Sequence, residues 1–268
     1  MPELPEVETI RRDLANGILN STIKKITIID GRVLRQDAAD FMRRLKGRTI
    51  VAIKRRGKAL ILELDSNECL VVAVMMTGQL VVDGQANAHT RLKFDLSTGQ
   101  TLLYNDQRVF GQLRVVSDIQ AIKYFRIIGP EPFDHAFDAA YMAGYLKKTK
   151  RPIKNILLDH TFVAGIGNIY ACEILFRSGI SPKRIGDKIK RNEIPIIRQQ
   201  TIDVLNEAIR LRGSSMRNYV GGDGKKGQFN KRIEVYAREG NACVVCTAPV
   251  VRIIQAGRST FYCMKCQH

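Results

Sequence analysis

Four cysteines near the end of the chain constrain its fold more than any other feature. Cys243 and Cys246 form one Cys-x2-Cys pair and Cys263 and Cys266 a second, with sixteen residues between the pairs. That spacing and ligand type match a tetrahedral zinc site, so the tail is expected to be a small metal-held module. Gly257-Arg258-Ser259-Thr260-Phe261-Tyr262 lies between the pairs. It should form a hairpin tip held rigidly by the metal, with Arg258 presented to a partner; a guanidinium fits a phosphate with two parallel hydrogen bonds. The other two cysteines, Cys69 in an apolar run and Cys172 on a helix, are expected to be packed thiols.

The partner expected from charge is a polyanion. The 268 residues carry 43 Lys and Arg against 26 Asp and Glu, a formal charge of +17 spread along the whole length. This is the electrostatic footprint of nucleic-acid binding. Membrane-surface binding would call for one basic amphipathic helix with aromatic anchors, and the chain has no Trp. No apolar run approaches ~18 residues, and Met1-Pro2-Glu3 lacks a signal-peptide start, so a soluble intracellular protein is expected.

At the other end, Leu4, Val7, Ile10 and Leu14 recur at helical steps, and Pro5 suits a first helical turn. Glu6 and Glu8 sit where the helix dipole favours negative charge. Glu3 falls outside that stripe. If Met1 is removed, Pro2 exposes a secondary amine, and a free α-amino group has a pKa of roughly 8, so part of it is unprotonated at neutral pH. Such an amine can attack a carbonyl-like carbon and form a Schiff base.

From about residue 23 to 116, short β segments alternate with turns. The segments are 23–29, 49–53, 59–64, 70–76, 79–82, 91–95, 101–104 and 112–116. An antiparallel sandwich or barrel follows. Lys58 follows Arg55-Arg56-Gly57 at one of the hairpin turns. Arg108 and Phe110, two apart, share a face if their segment is extended. Together they are either a cation and an aromatic wedge for a duplex or a surface Arg beside a core Phe.

Gly129-Pro130-Glu131-Pro132 breaks the β pattern. Beyond it, helices are expected at 136–147, 153–159, 168–176 and 192–211, with Gly179 and Gly213 as stops. Gly165-Ile166-Gly167-Asn168-Ile169-Tyr170-Ala171 is either a phosphate-approaching glycine turn capped by Asn168 or a tight helix–helix turn. Residues 213–228 contain five glycines and are expected to be a mobile loop.

The opening Pro2-Glu3-Leu4-Pro5-Glu6-Val7-Glu8, Arg56-Gly57-Lys58, Gly165 to Ala171 and Gly257 to Cys263 resemble bacterial formamidopyrimidine-DNA glycosylases, in the right order and from end to end. The resemblance implies an α+β architecture: a catalytic β-sandwich domain at 1–128, a linker at 129–135, a helix-two-turn-helix domain at 136–228 with a lid over the lesion at 213–228, and a zinc finger at 234–268. It implies a monomer in the bacterial cytoplasm acting on double-stranded DNA with oxidised bases or abasic sites, and one structural zinc ion. By the same resemblance Pro2 is the nucleophile and Glu3 a proton donor. Lys58 and Arg258 grip phosphates and donate protons in β- and δ-elimination. His89, Arg108, Lys150, Asn168 and Tyr236 contact DNA, while Met76, Arg108 and Phe110 fill the hole left by a flipped base.

Three departures accompany it. Ala73 replaces a histidine three residues before Met76, Gln107 replaces a proline, and Val109 replaces a second arginine. Leu4 separates the chain from the sister endonuclease VIII-like enzymes, which start Pro-Glu-Gly-Pro-Glu. A zinc DNA-binding protein without catalysis is the alternative of a different class.

Overall fold

The computed structural model describes residues 1–216 and 219–268, and the chain divides into two compact units. The first comprises Met1–Arg126 with Ile209–Asn230, and the second Ile127–Ala208 with Lys231–His268.

In the first unit, the expected β segments form two four-stranded antiparallel sheets. One contains β1 (Ile23–Ile28), β6 (Thr90–Leu96), β7 (Thr101–Asp106) and β5 (Gly78–Val82), adjacent in that order. The other runs β2 (Ile50–Arg56), β3 (Ala59–Leu64), β4 (Cys69–Ala73) and β8 (Gln112–Val116). Strand β6 alternates buried with half-buried residues along its length, as expected of a strand with one covered face. Leu60, Leu62, Leu70 and Val72 of one sheet and Leu92, Phe94, Leu102 and Tyr104 of the other join one core, so the unit is a sandwich.

Helix α1 (Leu4–Ile18) buries its predicted stripe of Leu4, Val7, Ile10 and Leu14 in this unit, and α2 (Ala38–Leu45) adds Phe41 and Leu45. Strand β4 stops at Ala73, short of the expected 76. Met75 turns left-handed at φ 51°, and the amide of Gly78 closes the turn onto the carbonyl of Val74. The short helix α3 (Lys123–Ile127) follows β8.

The second unit holds α4 (Ala139–Leu146), α5 (Ile153–Leu157), α6 (Asn168–Arg177) and α7 (Ile194–Arg210), the last crossing the division near its end. Gly179 and Gly213 follow α6 and α7 with φ of 70° and 79°, the left-handed conformation of a helix stop that glycine adopts without a Cβ clash. The tail is the hairpin β9 (Val251–Gln255) and β10 (Arg258–Tyr262), whose base shares a small core with Cys172 and Phe176 of α6.

The described part of 213–228 is irregular but tied at several points. Ser214 bridges Gln228, and Gly222 both donates to Asp13 Oδ2 and accepts from the amide of Val82. Arg217 and Asn218, within the segment expected to be a lid, lie outside the described residues.

Candidate nucleic-acid interface

Pro2 and Glu3 are buried at the head of α1, where Glu3 is the N-cap residue. Buried Glu6, three positions on, accepts from the amide of Glu3 at 2.8 Å through Oε2 and from the amide of Ser214 at 2.7 Å through Oε1. A carboxylate at this place satisfies a helix-terminal donor and holds the start of the chain in a fixed direction. Glu6 is therefore more than a dipole charge: it joins the N-terminus to the 209–230 segment.

Lys58 lies in a two-residue hairpin turn, because Arg56 pairs with Ala59 across β2 and β3. Ala73, at the end of β4, pairs with Ala59 and Gln112, so a methyl stands where the resemblance places an imidazole.

Met76 lies on one turn and Arg108 and Phe110 on another that a hydrogen bond joins to it, and 108–110 is not the extended segment that would put the last two on one face. Val109 adopts φ 56°, costly for a β-branched residue, and the Arg108 guanidinium stacks 4.5 Å from the Phe110 ring centroid. The cause is Asp106, a buried carboxylate that the sequence reading missed. It accepts from the amides of Arg108 at 3.2 Å and Gly111 at 2.7 Å, which curls the segment, and from the hydroxyl of Thr77, the neighbour of Met76. The Arg108 amide also donates to Thr77 Oγ1 at 3.0 Å, locking the two turns together. Tyr104 donates to Asp106 as well, and burial followed by that carboxylate pushes the phenol pKa up. Met76 and Phe110 remain 41% and 47% exposed, an apolar pair that the core does not take in. His89 is exposed on the loop before β6, and its carbonyl accepts from the amide of Asp106.

In the second unit, Gly167, not Asn168, is the N-cap of α6. The Asn168 amide group instead donates to the carbonyl of Ser259 at 2.8 Å and its oxygen accepts from Lys154 Nζ at 2.6 Å. Lys154 is wholly buried and also donates to Ser259 O at 3.1 Å and Thr260 Oγ1 at 2.7 Å. One ammonium thus fixes Asn168 against the strand that begins with Arg258. Arg258 itself is exposed beside the turn Ala256–Gly257, whose φ values of 46° and 72° are both left-handed, as in the hairpin turn that matches strand twist.

Tyr236 is placed by a second missed residue: buried Glu173 accepts from the amides of Glu234, Val235 and Tyr236 at 2.8, 3.1 and 2.8 Å. Burial pushes the carboxyl pKa of Glu173 up, against the pull of these three amides. Lys150 is exposed in the connection between α4 and α5.

The four tail cysteines converge, every Sγ within 4.8 Å of the others. The Sγ separation of 3.8 Å for Cys243–Cys266 equals, and that of 3.4 Å for Cys246–Cys263 falls a little short of, the ~3.8 Å edge of a tetrahedron with Zn–S bonds of about 2.3 Å. Crowding by the other thiols, first Cys246, pushes the Cys266 pKa up. A dication reverses that cost by binding the thiolates, so the donor set fits zinc. Four thiolates leave no open position for water, which makes the ion structural.

The sandwich buries Pro2 and Glu3, Met76 and Phe110 stay exposed beside Arg108, and the cysteine finger presents Arg258; with a formal charge of +17 these features fit a polyanionic partner such as duplex DNA. The comparisons with known proteins then sharpen the class. The chain matches the formamidopyrimidine-DNA glycosylase N-terminal domain over residues 1–113, the formamidopyrimidine-DNA glycosylase H2TH domain over 128–220, and the zinc finger found in FPG and IleRS over 240–268. A formamidopyrimidine-DNA glycosylase of Carboxydothermus hydrogenoformans is 39% identical, with both chains covered in full. That of Moorella thermoacetica is 41% identical over 94% of each. The crystal structure of the MutM (FPG) protein of Thermus thermophilus is 38% identical, with TM-score 0.91 over 99% of this chain and 98% of that one. A Lactococcus lactis FPG mutant bound to DNA containing Fapy-dG is 35% identical with TM-score 0.93 over 99% of both. The chain belongs to the formamidopyrimidine-DNA glycosylase family.

Proposed function

We propose that this chain excises oxidised purines, 8-oxoguanine and formamidopyrimidines, from duplex DNA and then cuts the strand at the emptied sugar. Removal of Met1 frees the Pro2 nitrogen, which attacks C1′ of the flipped nucleotide as the C1′–N bond to the base breaks. Glu3 passes a proton to the ring oxygen as the sugar opens to an iminium ion. That iminium acidifies C2′; loss of its proton gives an enamine that expels the 3′-phosphate, and a second elimination expels the 5′-phosphate, leaving a one-nucleotide gap. Lys58 and Arg258 grip the flanking phosphates and protonate leaving groups. His89, Lys150, Asn168 and Tyr236 take further DNA contacts, and Met76, Arg108 and Phe110 occupy the space vacated by the base.

The observation that carries this reading is the placement of Pro2 and Glu3. Both are buried at the head of α1, with the direction of the chain start set by Glu6. The helix-two-turn-helix and finger residues supply phosphate contacts. The setting is the bacterial cytoplasm and its nucleoid; no described helix is long and apolar enough to cross a membrane.

Excision from duplexes carrying 8-oxoguanine opposite cytosine, run beside duplexes carrying thymine glycol, tests the substrate class. Faster release of 8-oxoguanine is expected. A strong preference for the glycol would move the chain to oxidised-pyrimidine repair, and binding without excision of either would leave a lesion binder.

A further inference from the structure

The turn that presents Lys58 is held from two sides by groups with no place in the chemistry above. Gly57 is its first residue at φ 58°, and Lys58, the second, is not left-handed. This is the type II′ arrangement, in which glycine takes the first position at no steric cost. The two residues share one peptide unit whose carbonyl and N–H point in opposite directions. The carbonyl, on Gly57, accepts from Arg55 Nη1 at 2.9 Å, and the N–H, on Lys58, donates to the hydroxyl of Tyr124 at 3.2 Å. Rotation of this unit is what interconverts the two-residue turn types, and it resets the φ of Lys58, on which the choice of its side-chain rotamer depends. Gripped at both polar atoms, the plane is fixed.

The first grip is itself anchored. Arg55 is only 9% exposed, and its Nε lies 3.3 Å from Glu8 Oε2 on α1, the helix that starts just after Pro2 and Glu3. Burial alone would raise the Glu8 pKa. The hydrogen bonds of Arg11 and Arg12, with the charges of Arg11 and Arg55, outweigh burial and hold the carboxyl below its usual range. Glu8 therefore stays ionised through neutral pH and keeps Arg55 in place. The second grip comes from α3, an element to which the sequence reading gave no role.

We infer that Arg55 and Tyr124 are positioning residues for Lys58, fixing the Gly57–Lys58 peptide plane against the helix that bears Pro2, with Glu8 as the anchor. The inference rests on the role given to Lys58 above. Its consequence is directional: the ammonium reaches the phosphate beside the damaged nucleotide from a pre-set turn rather than from a searching one.

A double-mutant cycle on single-turnover cutting of an 8-oxoguanine duplex tests it. Tyr124→Phe removes one hydroxyl, and Arg55→Gln removes the charge and one fork of donors. Losses of about threefold and about tenfold are expected, in line with neutral and charge-assisted hydrogen bonds. In a Lys58→Ala background neither change should slow cutting further, because a misplaced lysine is then already absent. Melting temperature is followed in parallel. Should Arg55→Gln fail to fold, Tyr124→Phe completes the cycle alone. Losses that multiply with that of Lys58→Ala, or single variants that cut at the parent rate, would overturn the inference. A parent protein that neither cuts nor forms a borohydride-trapped adduct would instead condemn the reading of function on which it rests.

Discussion

Two hairpin turns each present a cation, and they are built in opposite ways. The Gly57–Lys58 turn lies between strands of an eight-stranded sandwich, and its peptide plane is pinned by Arg55 and Tyr124. The Ala256–Gly257 turn joins a lone pair of strands, β9 and β10, with both turn residues left-handed. Support for Arg258 comes from one residue further on, where Lys154 and Asn168 meet the Ser259 carbonyl, and from the thiolate cluster at the hairpin base. A turn on a large apolar core needs only local fastening of its plane. A two-stranded hairpin is marginally stable at best alone in water, and this one leans on its metal site, a buried ammonium and a small apolar core shared with α6.

The largest break in this comparison should come from the metal. Cys246→Ser leaves three thiolates, and structural zinc supplies roughly 10 kcal/mol or more of folding energy to modules of this size. Zinc content should fall to near zero and duplex binding should vanish at concentrations that saturate the parent. The sandwich, with its own core, should keep its cooperative melt, and loss of that melt would show that the two turns do not depend on separate supports.

Next comes Lys154→Met, which removes a donor from Asn168 Oδ1 and Thr260 Oγ1, and one of two from Ser259 O, in a fully buried place. A cost of about 3 kcal/mol in denaturant unfolding is expected.

The turn residues themselves distinguish the two designs at about 1 kcal/mol. Gly57→Ala puts a Cβ into a left-handed position and should destabilise by about that much, whereas Ala256→Gly relieves one and should stabilise by up to the same amount. Equal signs for the two substitutions would contradict the assigned geometry. The smallest effect is expected from Arg258→Ala, which should flatten the dependence of log affinity on log salt by about 0.9, the signature of one phosphate contact.

Much of this arrangement could be read from local pattern. Cysteine spacing announced the finger, alternating or continuous apolar runs broken by turn residues gave all eight sandwich strands, and the motifs at 2–8, 56–58, 165–171 and 257–263 pointed to the family. What could not be read are bonds that span the chain. Lys154 looks like one more surface lysine until it meets Thr260, 106 residues away. The available signal was faint: Lys154 lies three and four residues before Leu157 and Leu158, on their face of the helix. Glu173 likewise shares a face with Tyr170 and Phe176, three residues to either side, yet its three amide partners lie 61 to 63 residues on. Asp106 had no sequence signal beyond its place at a strand end, and so nothing in the sequence decided whether 108–110 is extended or curled. Tyr124 sits outside every motif.

The identity of the attacking atom is tested most directly by intact mass after borohydride reduction with lesion-containing duplex, followed by mapping of the modified peptide. The account predicts protein lacking Met1, with the deoxyribose remnant joined to the nitrogen of Pro2. An adduct on a lysine side chain, or full-rate cutting by protein that retains Met1, would contradict it.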